Sequence, residues 1–144
     1  MNLKDNILLA PINKRCIAGL IDYTFIFTLM TLYIEAFGKP NGEGGLSVSG
    51  ISVLPINLAW FIITIGFEQM FNSTIGNGIM GIKPMHEDGI NKPNIIQSIK
   101  RHFLDLIDMF FFGLVGYLTM KNSPKRQRLG DQWAKTIVVQ NKHS

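Results

Sequence analysis

The stretch Cys16–Phe37, CIAGLIDYTFIFTLMTLYIEAF, decides the fold. Asp22 and Glu35 are its only formal charges. Wound as an α-helix it is about 33 Å long, enough to cross a hydrocarbon core of roughly 30 Å. A second stretch, Gly50–Phe71, has the same character. Pro55 falls in its first turn, where a missing N–H costs little, and Glu68 lies near its far end. Both stretches are predicted to be transmembrane helices.

The rest of the 144-residue chain fits that reading. Charged residues make up 17%, against roughly 25% in a soluble domain. Hydrophobic residues reach 47%, yet mean hydropathy is only +0.19, so the apolar residues must come in blocks. Cys16 is the only cysteine, which excludes an internal disulfide, and it reads as a small buried residue of the first helix. The net charge is +4. In a chain with long apolar blocks, that excess predicts cytoplasmic loops and contact with anionic lipid rather than nucleic acid. The first block is too long for a cleaved signal peptide and lacks a small-x-small cleavage site.

A third helix is expected over about 95–120. Ile95, Ile96, Ile99, Phe103, Leu106, Ile107 and Phe110 recur at helical spacing, with Gln97, Lys100, Arg101, Asp105 and Asp108 on the other face. That pattern suits an amphipathic helix at an interface, where Asp105 and Asp108 form the wet side. Only Met109–Met120 is apolar all round, too short to cross alone. Residues 1–15 carry a net +2, loop 38–49 carries 0, segment 72–101 carries +2 and the tail from 121 carries +5. Positive charge stays inside. The third helix is therefore expected to dip in, bend near Gly113 or Gly116, and return the tail to the cytoplasm.

The expected fold is thus an all-α membrane protein: a single domain over 1–144, multi-pass in the cell membrane, with both termini cytoplasmic. Its helices are placed at about 16–37, 50–71 and 95–120, with a basic tail over 121–144. A small cytoplasmic cap is expected to include a two-strand pairing of the Thr136–Val139 run with the loop Gly76–Gly89.

Several polar residues stand out within the apolar blocks. Arg15 and Asp22 are seven apart, so they share one helix face, with Ala18 and Gly19 between them small enough to admit a close neighbour. An ionised carboxylate this deep costs on the order of 3 kcal/mol without a partner. Asp22 therefore reads as a structural ion pair, as a titratable group in a transport path, or as an accident of the surface. Asn57, Thr64 and Glu68 form a stripe on the second helix, with Glu68 close in depth to Lys14 and Arg15 as salt-bridge partners. Thr24, Thr28, Thr31 and Glu35 form another stripe on the first, where threonines bond back to their own backbone. His86, His102 and His143 have no metal-ligand spacing. No phosphate-binding loop, dinucleotide fingerprint or nucleophile elbow is present, so neither an enzyme nor a cofactor is expected.

Three stretches together resemble a known family: Arg15–Asp22 (RCIAGLID), Thr74–Gly89 with its Thr-Ile-Gly and Met-Gly-Ile-Lys, and Arg128–Val139 (RLGDQWAKTIVV). The chain looks like a member of the RDD family of membrane proteins, named for one arginine and two aspartates. By that resemblance these are Arg15, Asp22 and Asp131. Asn77 departs from it, since the family commonly has a lysine there. The resemblance implies transport of ligands not yet identified, with Na⁺/H⁺ exchange claimed for some members. It also implies that Asp131 folds back onto Arg15. Two or three helices enclose little volume, so transport along Arg15, Asp22, Asp131, Asn57 and Glu68 would need a homo-oligomer. The other reading is a membrane scaffold that binds a partner and does not transport.

Overall fold

The computed structural model describes residues 7–108 and 110–141. The expectations about the chain termini, including Lys4, Asp5, Lys142 and His143, and about Met109 lie outside the described residues. Two helical stretches are long and apolar enough to cross a membrane: Ile12–Phe37 (α1), with mean hydropathy 1.7, and Gly50–Phe71, with 1.9. α1 begins after Pro11 and stops at Gly38. A Cβ on Gly38 would run into the Ile34 carbonyl, and Gly38 instead donates its N–H to that oxygen at 2.7 Å. Between the spans a tight hairpin pairs Lys39–Pro40 (β1) with Leu46–Ser47 (β2), and Asn41 Oδ1 accepts the Gly45 N–H across its turn.

The second span is not one regular helix. A 3₁₀ turn at Gly50–Val53 leads into Leu54–Phe61 (α2), a π turn occupies Ile62–Gly66, and Phe67–Phe71 (α3) closes it. A π turn inserts about one extra residue, which rotates everything beyond it by roughly 100° against a straight helix. The span ends at Asn72, in the left-handed conformation.

Thr74 caps a short helix, Ile75–Ile79 (α4), by accepting the Asn77 N–H. Gly76 presses against the Ala18 carbonyl, where no side chain fits. The close approach expected beside Ala18 is therefore made by α4, and a Cβ added at Gly19 would meet open space. Ile82–His86 (β3) then pairs antiparallel with Thr136–Gln140 (β4), Pro84 opposite Val138. Residues 8–10 add to the far side of β4: Leu9 bridges Val139, and Ala10 N donates to the Val138 carbonyl at 2.9 Å. Ala10, Ala18, Ile82 and Val138 form the small apolar core under this sheet.

The expected third helix is broken into three pieces, Ile95–Phe103 (α5), Asp105–Asp108 (α6) and Phe110–Asn122 (α7). Asn94 and Gln97 form a reciprocal capping box at the start of α5. Phe111 and Gly113 both have positive φ, a conformation no continuous α-helix holds. The chain reverses there, and Gly116 comes back against the Asp108 carbonyl. A final short helix, Leu129–Ala134 (α8), packs on α5, with Gly130 against the Arg101 carbonyl.

α5 and α6 also correct the expected orientation. Ile95, Ile96, Ile99, Phe103 and Ile107 are exposed, whereas Ser98, Arg101, His102, Asp105 and Asp108 are buried. The polar side that was expected to be wet faces the protein.

Candidate functional site

Those buried polar residues meet charged groups from three other parts of the chain. α1 supplies Arg15, the second span supplies Glu68, and the segment at α8 supplies Arg128 and Asp131. Asp131 has no exposed surface and sits at the centre. Arg15 pairs with its Oδ2, while Arg101 Nε donates to Oδ1 at 2.8 Å. Arg101 reaches the other way as well, with Nη1 on Glu68 Oε2 at 2.7 Å. Glu68 Oε1 accepts the Ser98 hydroxyl at 2.6 Å. Arg128 Nη1 lies 3.1 Å from Asp105 Oδ1. The π turn makes the Glu68 contact possible, because it swings the far end of the second span toward α5.

His102 is held at both ends of its ring. Nδ1 lies 2.7 Å from Asp105 Oδ2 and Nε2 lies 3.1 Å from Glu68 Oε2. A neutral imidazole has only one N–H, so two carboxylate partners require the doubly protonated, cationic ring. Burial opposes that charge, but Asp105 and Glu68 more than offset it and lift the His102 pKa to about 9. Burial also opposes the charge of Asp131, yet Arg15, Arg101 and Arg128 hold it well below the usual carboxylate range. For Asp105, Arg128 and His102 outweigh burial in the same direction. Burial lowers Arg101 and Arg128, and the surrounding carboxylates raise both above the ordinary guanidinium value. Four cations (Arg15, Arg101, His102, Arg128) thus face three anions (Glu68, Asp105, Asp131) in a region closed to solvent.

Asp22 stands beside this network, held by neutral donors where the ion-pair reading had Arg15. It makes no bridge to Arg15. Its Oδ2 accepts the Thr74 hydroxyl at 2.6 Å and its Oδ1 accepts the Gly76 N–H at 2.7 Å. Neutral donors replace the cation, and they tie α1 to the α4 turn. Asp108 works in a similar way, accepting the N–H groups of Leu129 and Gly130 at 3.3 Å each, at the start of α8. A pocket of about 30 Å³ opens between Asp22 and the network, lined by Arg15, Tyr23, Thr64, Thr74, Arg101, His102, Asp105 and Arg128 among others. That is room for on the order of one or two waters among polar walls. A wider groove of about 620 Å³ along α7 and α8 is lined without any ionised side chain and lies apart from the network.

The five residues singled out from the sequence therefore separate. Arg15, Asp131 and Glu68 belong to one network, although the partners of Glu68 are Arg101, His102 and Ser98 instead of Lys14 or Arg15. Asp22 shares only the pocket. Asn57 is exposed in the first half of α2 and away from the site, because the π turn breaks its alignment with Thr64 and Glu68. Thr28 and Thr31 bond back to the carbonyls of Thr24 and Phe27, as threonines on a membrane helix do. Cys16 is only half-buried. The sequence reading missed Arg101, His102 and Arg128. The available signal was a run of both charge signs at one helical face, opposite a second such run in the tail.

The sequence model described as the RDD family matches residues 9–135 of this chain. No curated protein and no solved structure matches it.

Proposed function

Starting from the fact that this chain belongs to the RDD family of membrane proteins, we propose that it is a small ion or solute transporter, exchanging a cation for protons and acting as an oligomer. The observation that carries this reading is the polar pocket joining Asp22, a carboxylate within a membrane span, to a buried network of ionised groups. An ionisable group placed inside a membrane helix is costly, and the usual return for that cost is ion or proton handling. In this reading Asp22 is the exchanging carboxylate. Arg15 and Asp131 hold the end of its path, and His102 keeps the network charged. Both apolar helices leave most of their surface exposed, which supports a path completed by a second copy of the chain.

The same reading assigns the membrane orientation. β4 pairs with β3, which follows the second span, and also with residues 8–10, which precede the first. These segments belong on one side, which two crossings allow and three do not. The reversal at Phe111–Gly113 supports a re-entrant intervening segment. The basic content of residues 1–15, 72–101 and the tail favours the cytoplasm of the cell membrane for that side, with anionic lipid at its surface.

The test uses purified protein in sealed liposomes loaded with a pH-sensitive dye, under an imposed Na⁺ or K⁺ gradient. The expected result is cation-driven proton movement that disappears in Asp22→Asn. Proton movement no faster than in protein-free liposomes, for a preparation that remains folded, overturns transport. A specific observation favours the alternative, a non-transporting scaffold: Arg101 and Asp131 are already fully paired, as a purely architectural lock would be. Folded protein without proton movement selects that reading.

A further inference from the structure

α2 presents, along its whole length, an exposed ridge of Leu54, Asn57, Leu58 and Phe61, at three- and four-residue spacing. The side-chain amide of Asn57 is the only polar group in it, and it makes no hydrogen bond among the described residues. Asn57 lies seven residues below Gly50, about 10 Å into the span. At that depth the surroundings are hydrocarbon, which can neither donate to its oxygen nor accept from its nitrogen. The protein's own interior is not an alternative. Below Asn57 the π turn directs Thr64 and Glu68 inward and leaves the Asn57 ridge on a separate face. α1 does not cover the ridge either: Thr28, Leu29, Thr31 and Leu32, at similar depth, are themselves exposed.

We propose that the Leu54–Asn57–Leu58–Phe61 ridge is the contact surface for a second copy of this chain, with the two Asn57 amides hydrogen-bonded to each other across a two-fold axis. This deepens the oligomeric part of the function proposed above. An asparagine amide carries both donor and acceptor, so two of them facing each other across such an axis are self-complementary. A single asparagine in an otherwise apolar helical seam also fixes register and copy number, because any slip leaves both amides unpaired. A lipid tail offers neither function, and a different protein would have to place its own amide at that depth. The π turn gives the second span two faces: the outer one meets the partner copy and the inner one meets the charge network.

The experiment is disulfide cross-linking in native membranes, with single cysteines at positions 54, 57, 58, 61 and 63 in a Cys16→Ser background. Cross-linked dimers are expected at 57, with weaker ones at 54 and 61 and none at the buried position 63. In detergent, light scattering of the purified chain should give a dimer. Asn57→Leu should weaken self-association by about tenfold, and Asn57→Gln, which keeps the amide, should restore most of it. A monomer at all concentrations, an assembly larger than a dimer, equal cross-linking at 57 and 63, or an Asn57→Leu variant that associates like the native chain each overturns the proposal. None of these measurements uses an ion gradient, so failure here and failure of transport are read separately.

Discussion

Arg101→Met removes the cation that joins two carboxylates in the closed interior. Arg101 is 1% exposed and donates to Glu68 at 2.7 Å and to Asp131 at 2.8 Å. An exposed pair would be worth under about 1 kcal/mol, whereas breaking a buried one costs about 3–5 kcal/mol because a desolvated charge is left behind. Neither acid is stranded entirely: Glu68 keeps His102 and Ser98, and Asp131 keeps Arg15. The loss should therefore fall near the lower end, about 3 kcal/mol. Unfolding by titration with a denaturing detergent in mixed micelles measures it. The cost is one of desolvation, so it should shrink when a carboxylate that Arg101 had paired with is neutralised as well. Arg101→Met combined with Glu68→Gln is expected to recover at least half of the loss. A single variant within about 1 kcal/mol of the native chain would refute the reasoning, because the network would then be solvated or dispensable. A double variant worse than the single one would show that Glu68 is held by His102 and Ser98 alone.

The remaining expectations follow from the same geometry. The His102 pKa is raised from 6.5 to about 9 in the folded protein, so its stabilisation is complete below pH 6.5 and is lost as pH rises through about 9. That amounts to about 3 kcal/mol, and a pH series of melting temperatures should show a decline that His102→Gln lacks. Gly76→Ala and Gly130→Ala each drive a methyl group into a backbone carbonyl, of Ala18 and of Arg101, and should each cost at least about 2 kcal/mol by thermal unfolding. Gly19→Ala, in the interior of α1 where an added Cβ meets open space, should be neutral or stabilising by up to about 1 kcal/mol.

Both helices long and apolar enough to cross a membrane were legible from apolar length alone, because such a helix satisfies its own backbone and needs nothing distant to define it. The contact of Arg15 with Asp131, 116 residues away, was legible only through the family resemblance, since no local pattern connects them. The Asn57 stripe was misplaced for a definite reason. A constant 100° per residue holds in a straight helix, and nothing in Ile62–Gly66 announces the π turn that breaks it. Glu68 forms a salt bridge as expected, but with Arg101 on α5 instead of Lys14 or Arg15. Asp22 was expected to need a cation or a proton. The hydroxyl of Thr74 and the N–H of Gly76 do that work, and both lie in the stretch that the resemblance had already marked.

The deeper misreading concerns α5 and α6, and it follows from the solvent. An amphipathic pattern tells which side of a helix differs from the other, and water is what normally makes the polar side the outer one. Beside a bilayer the apolar side can face outward, and the pattern is unchanged. Charge type separates the two cases. A face meant for water tolerates lysines alone, whereas a face meant for the interior must carry its own counter-charges, since an unpaired buried ion is too costly. Arg101, His102, Asp105 and Asp108 supply both signs within a few residues, and Arg128 and Asp131 supply both again in the tail. Lys100 does not join them. It lies with its ammonium 5.4 Å from the ring centre of Trp133, at the edge of the exposed apolar side, where a lysine beside a bilayer can reach the interface. Mixed signs on the buried face and a lone lysine beside an aromatic ring distinguish this inverted helix from one that lies polar side up on a membrane.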